Sequence, residues 1–278
     1  MRLHWLELIL FSTYAELRAE RARSYLGFLW WIIEPAMNMA TYYLVFAIVL
    51  KTGQRDYVPF LLVGLTLWQW FKSGVSHGGQ SIWQQLGLIR QVRLPLQVFP
   101  SVQILADTVK FAFILGLLLV ILWAYGYRPN VTYFALIPVL LVELVFTAAV
   151  AYLVAAAMPF VPDLRFVIEQ VLQVVMFFSG VVFSLDSIPP GLRRWFELNP
   201  LVELIGAGRD ILMHARWPIW IALGRVAVIS LALFALGTYL IQRNSPRYVK
   251  LPTRATPSTN CAMSASRSMR NFAWVRRD

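Results

Sequence analysis

The run "AFILGLLLVILWA" at residues 112–124 leaves its backbone few options. A segment this apolar is driven out of water, and a backbone placed in hydrocarbon must satisfy its own N–H and C=O groups, which one segment achieves only as a helix. Comparable segments recur along the chain, each near the ~20 residues that cross a bilayer core. They predict six spanning helices, at roughly 29–50, 58–80, 100–124, 132–158, 166–185 and 219–241. Only 14% of the 278 residues are charged and 59% are hydrophobic. A soluble domain carries about a quarter charged residues, so a soluble fold would leave apolar surface it cannot bury. The expected fold is therefore all-α and integral to the membrane.

The ends differ from this pattern. Leu3, Leu6, Leu10, Tyr14 and Leu17 recur at helical spacing, with Glu16, Arg18, Glu20, Arg21 and Arg23 crowding the end that approaches the first span. This predicts an amphipathic interface helix within residues 1–28, lying in the headgroup region. Glu7, Glu16 and Glu20 interrupt the apolar pattern and no small-residue cleavage site follows, so it does not read as a signal peptide. Residues 244–278 are rich in Ser, Thr, Ala and Arg and lack apolar periodicity, which predicts a disordered basic tail. Between the fifth and sixth spans, residues 186–218 are too long and too mixed for a simple loop. Pro189, Pro190 and Pro200 break them into short re-entrant or surface helices.

The formal net charge is +11. In a membrane protein this reads as basic loops on the cytoplasmic side, and no nucleic-acid partner is expected. With the N-terminus inside, 15 Lys and Arg residues fall on the cytoplasmic side and 7 outside. Without Arg243 and the seven basic residues of the tail the two sides are equal, and the Arg18–Arg21–Arg23 cluster beside the first span decides the orientation. Both termini are expected in the cytoplasm.

The chemistry-bearing residues are sparse. Asp107 and Lys110 lie three apart on one helical face and can neutralise each other, which reads as a structural pair ahead of a proton relay. Glu34, Glu143 and Arg225 are further ionisable residues within spans. Residues 81–100, "SIWQQLGLIRQVRLPLQVFP", join the second and third spans and contain Arg90, Arg93, Pro95 and Pro100. They suit either a plain connector or a short helix that docks a soluble partner. The histidines, His4, His77 and His214, have no metal-ligand spacing, and the chain has one cysteine, Cys261. No metal site is expected. None of the four lysines follows a glycine, so there is no phosphate-binding G-K-[ST] loop, and no HExxH motif is present. The chain is expected to be no enzyme and to bind no cofactor.

Three segments together resemble the membrane subunits of ABC-2-type exporters of bacterial polysaccharides, the O-antigen and capsule permeases, over roughly residues 5–243. The first is "RARSYLGFLWWIIEPAM", through Arg21, Arg23, Ser24, Leu26, Gly27, Trp30 and Pro35. The second is "GLIRQVRLPLQVFP", through Leu88, Ile89, Val92, Pro95 and Pro100. The third is "ELNPLVELIGAGRDILM", through Asn199, Pro200, Leu201 and Arg209. The sequence departs from that family at "FVPDLRFV", where Asp163 remains but Pro162 stands in place of an arginine. The long basic tail is also atypical.

The resemblance implies a bacterial inner-membrane transporter of two permease copies and two nucleotide-binding ATPase subunits, with ATP and Mg on the ATPase. It implies that Arg18, Arg21 and Arg23 of the interface helix, and Gln85, Leu88, Ile89, Arg90 and Arg93 after the second span, couple to that ATPase. A channel between the permeases would be lined by Trp30, Trp31, Glu34, Tyr42, Tyr43, Trp68, Trp70 and Phe71. Pro189, Pro190, Asn199, Pro200, Glu203 and Arg209 would form a periplasmic exit. The cargo implied is a lipid-linked polysaccharide, O-antigen or capsular glycan. Within this reading, Gly27 permits the bend from lying to spanning and Pro35 kinks the first span. Two other readings compete: an ABC-2 permease for a teichoic-acid-type polymer, lipid or drug, and a proton-coupled transporter using Glu34, Asp107 and Glu143.

Overall fold

The computed structural model describes residues 2–23, 29, 33, 36–37, 40–41, 44, 56–89, 94–182, 191, 196 and 199–248, with backbone only for 2–6 and 21–23. Most of the first predicted span and of the tail lies outside these residues. So do Trp30, Trp31, Glu34, Tyr42, Tyr43, Arg90, Arg93, Pro189 and Pro190, and the side chains of Arg21 and Arg23.

The described elements are helical. α1 covers Arg2–Arg23, α2 Tyr57–Gln84, and the four-residue α3 Leu86–Ile89. α4 is Val98–Ala124. A 3-10 turn at Val131–Ala135 leads into α5, Leu136–Ala157. α6 is Leu164–Phe178, α7 Pro200–Leu212 and α8 Trp220–Tyr248.

α2 runs through the middle of the bundle, packed against α4, α5, α6 and α7, while α5 and α8 share the most extensive interface. α1 lies along α4. The core on α2 is aromatic. Trp70 stacks on Phe111 of α4 with ring centroids 4.1 Å apart, and Phe71 stacks on Phe146 of α5 at 5.5 Å. The Trp70 indole N–H donates to Thr108 Oγ1, so its one polar group is satisfied as the ring is buried.

Among the described residues, three segments are long and apolar enough to cross a membrane: Val98–Ala124, Val131–Ala157 and Trp220–Tyr248. They match the predicted third, fourth and sixth spans. The other two described spans differ. α2 has the length, at 28 residues, but Lys72, Ser76, His77 and Gln80 dilute its apolar character. α6 has 15 residues, about 22 Å, where the sequence predicted 166–185. It stops because the chain turns at Ser179–Gly180, with Gly180 at φ +66°, a left-handed conformation suited to glycine.

α8 also departs from expectation by continuing to Tyr248, through Pro246 and into the predicted tail. Tertiary contact carries it there. The Tyr248 hydroxyl donates to the Ala156 carbonyl and its ring packs on Phe160. In α1, Thr13 is buried while Leu10, Phe11 and Tyr14 are exposed. The helix thus rests on the bundle with a mixed face and turns apolar side chains outward.

Candidate functional site

The predicted coupling and exit residues that the structure describes gather at two opposite ends of α2. At its C-terminal end, α1, α3 and the start of α4 enclose a cavity of about 180 Å³. Leu8, Ser12 and Glu16 of α1 line one side, Gln84, Gln85 and Leu88 another, and Val98, Phe99, Val102 and Gln103 of α4 a third. Gln85 forms the turn that ends α2, its N–H directed to the Ser81 and Ile82 carbonyls. Leu88 is exposed and Ile89 buried, so the four-residue helix is pinned on one side and open on the other. Arg18 is exposed on α1.

An ionic chain crosses beside this cavity. His77 Nδ1 of α2 lies 2.8 Å from Asp107 Oδ2 of α4. The other carboxylate oxygen of Asp107 is 3.4 Å from Lys110 Nζ, which is 2.7 Å from Glu20 Oε2 of α1. Asp107 is 4% exposed. A carboxylate so buried needs compensation, and here it receives two partners. The Asp107–Lys110 pairing follows from its i, i+3 spacing. Glu20 and His77 did not stand out in the sequence. The available signals were an acid set among arginines and a histidine set in a span.

At the other end, α7 is clamped onto α2 and α6. Asn199 caps α7: its Oδ1 accepts from the Leu201 N–H, and Pro200 takes the first helical position, where no N–H is needed. Its Nδ2 donates to the Phe178 carbonyl and the Ser179 hydroxyl at the end of α6. Arg209, 7% exposed, donates through Nε to the Phe60 carbonyl at 3.1 Å, and through its two terminal nitrogens to the carbonyls of Gly180 at 2.7 Å and Val181 at 2.8 Å. Its guanidinium also stands 3.4 Å over the Phe60 ring. Burial pushes it below the usual arginine range to about 9, so it is still a cation at neutral pH. Gly64 lies against this guanidinium, and a Cβ there would collide with it. Tyr57 ties the same corner by donating to the Val182 carbonyl at 2.9 Å. Glu203 pairs with Arg225 of α8.

The described aromatics proposed for a channel sit elsewhere. Trp68, Trp70 and Phe71 are at most 4% exposed and face other helices of the same chain. Glu143 on α5 is fully buried, and among the described residues its carboxylate has no hydrogen-bond partner.

The sequence profile of the family described as "ABC-2 type transporter" matches residues 7–213, a stretch that holds both ends of this arrangement. The chain is 31% identical over 238 residues to the O-antigen export system permease protein RfbA of Myxococcus xanthus, covering 84% of this chain and 91% of that protein. A protein of the same description from Klebsiella pneumoniae is 25% identical over 209 residues, 75% of this chain and 81% of its own. The polysialic acid transport protein KpsM of Escherichia coli is 26% identical over 238 residues, covering 81% and 87%.

Proposed function

The chain belongs to the ABC-2 type transporter family, and on that footing we propose that it is the permease subunit of an ABC exporter carrying a lipid-linked bacterial polysaccharide out of the cytoplasm. The observation that carries the cargo class is its similarity, along 91% of the relative's length, to a protein named for O-antigen export. A multi-pass membrane protein of this family works with a nucleotide-binding subunit, which would hold ATP and Mg. Two permease copies and two such subunits would form the transporter in the bacterial inner membrane, with both termini in the cytoplasm.

Within that reading the two ends of α2 divide the labour. The cavity bounded by α1, α3 and α4 is the face for the ATPase, lined by Gln85 and Leu88, with Arg18 on α1 and Ile89 on α3; Arg21, Arg23, Arg90 and Arg93 join this assignment from the sequence alone. The geometry supports this: the Glu20–Lys110–Asp107–His77 chain gives a push on α1 a rigid route to α4 and α2. The clamp made by Asn199, Pro200, Glu203 and Arg209 is the exit side, where Pro189 and Pro190 also belong. Trp30, Trp31, Glu34, Tyr42 and Tyr43 would flank the path on the first span.

Deleting the gene tests the reading. The glycan should vanish from the cell surface and accumulate inside, and the purified chain should hydrolyse no ATP without its partner. Normal surface display in the deletion strain would overturn it.

A further inference from the structure

From Leu61 to Ile82 along α2, every apolar residue is buried and every accessible residue is polar. The accessible positions are Gln69, Lys72, Ser73, Ser76, His77 and Gln80, spaced three and four apart, so they form one helical face. The other long helices show the opposite. The exposed positions of α4 beyond Phe111 are apolar or glycine, Val120 and Trp123 among them, and those of α8 between Val228 and Leu236 are all apolar. Those are faces for lipid. The face on α2 is not, because an amide or ammonium left uncovered in hydrocarbon has no hydrogen-bond partner there.

The face has defined borders. On one side His77 meets Asp107 of α4. On the other, Ser76 donates to Glu169 of α6. Glu169 and Gln173 stand one turn apart on α6, and Arg165, one turn before, stacks over Trp83 near the end of α2. Along the stripe, Gln80 Nε2 reaches Ser76 Oγ at 3.4 Å and Gln84 Nε2 reaches Gln80 Oε1 at 3.5 Å. From Gln69 to Gln84 the stripe is about 22 Å long, most of a ~30 Å hydrocarbon core.

We propose that Gln69, Lys72, Ser76 and Gln80 of α2, with Glu169 and Gln173 of α6, are the wall of a hydrated path that the exported glycan slides along. This rests on the polysaccharide reading above and names its contact surface. Amides and hydroxyls donate and accept equally well, so they meet sugar hydroxyls in any register. Weak bonds repeated at each turn hold a polymer without trapping it, as conduction through a multi-site path requires. The aromatic side of α2 is spent on packing, and the polar side is what remains to meet cargo.

The chain has a single cysteine, Cys261, which makes the test direct. In a Cys261→Ser background, within the whole transporter in cells, single cysteines replace Gln69, Ser73, Ser76 or Gln80. Val120→Cys and Val228→Cys serve as lipid-face controls. A charged methanethiosulfonate reagent is the probe. Cysteines on the stripe should react about tenfold faster or more than the controls, because only a hydrated thiol ionises readily. They should also react faster in a strain that makes no glycan than in one exporting it. Equal rates at the stripe and the controls would overturn the hydrated path, showing the face covered by another helix or a second copy. Fast labelling that does not respond to the glycan would overturn the cargo contact. Fast labelling in the complemented strain, together with normal surface glycan in the deletion strain, would leave the path standing and remove polysaccharide as its cargo.

Discussion

The Lys110 ammonium lies 2.7 Å from a Glu20 carboxylate oxygen, joining α4 to α1 across 90 residues of sequence. Lys110 is 18% exposed and Glu20 43%, so the pair falls between the surface and buried regimes.

Glu20→Gln removes that tie while Lys110 keeps Asp107. The expected result is a bundle that still folds, an α1 cut more readily by protease, and lower glycan export at equal membrane level. A double-mutant cycle built on Glu20→Gln and Lys110→Met should return a coupling energy of about 1 kcal/mol. A coupling near zero would mean that α1 is held by apolar contact alone.

Arg209→Lys keeps the charge but loses the fork. A lysine ammonium is a point donor and cannot serve the Phe60, Gly180 and Val181 carbonyls from their three directions. Each buried carbonyl left unpaired costs about 1–3 kcal/mol. The unfolding temperature in detergent should fall by several degrees, and Arg209→Met should fall further. Gly64→Ala should act in the same direction by displacing the guanidinium. A lysine variant as stable as the parent would contradict the three-carbonyl clamp.

Asn199→Ala should cost about 1 kcal/mol as a lost helix cap, with an added cost from releasing Phe178 and Ser179. Asn199→Asp keeps the acceptor for the Leu201 N–H but loses the amide donor toward α6. Export should therefore drop in both variants. Export preserved in Asp and lost in Ala would show that the cap matters and the tie to α6 does not.

Tyr127 donates to Asp56 Oδ1 at 2.8 Å. Burial first, then this hydrogen bond and the Asp56 charge, push its phenol from the ordinary 10 up to about 12. The folded state holds this proton more tightly than the unfolded chain. Its contribution to stability is therefore complete below pH 10 and is lost as pH rises through about 12. In alkaline spectrophotometric titration, the difference between the parent and Tyr127→Phe should show one phenol titrating near 12. A difference centred at 10 would place Tyr127 away from Asp56.

Much of this arrangement is legible in the amino-acid order. The apolar runs mark α4, α5 and α8 because length and apolarity alone separate a span from a loop. Asn199–Pro200 announces the start of α7, since a cap followed by proline is local chemistry. Asp107 and Lys110 are three apart and meet for that reason alone. The end of α6 was less legible, because Gly180 turns the chain inside a stretch that stays apolar. The end of α8 depends on Tyr248 reaching Ala156, which no local signal reports.

Length and apolarity are local properties, so the amino-acid order places α4, α5 and α8 without reference to any neighbour. Which face of a helix meets which neighbour is settled by packing between helices. Trp70 turns inward onto α4 and Phe71 onto α5, and the amides and hydroxyls of Gln69, Ser73, Ser76 and Gln80 remain accessible. Arg209 finds the Phe60 carbonyl 149 residues away, and Lys110 finds Glu20. Periodicity can say that a stripe exists, but its partner depends on how separate helices pack, and that is a long-range balance of burial, shape and charge compensation.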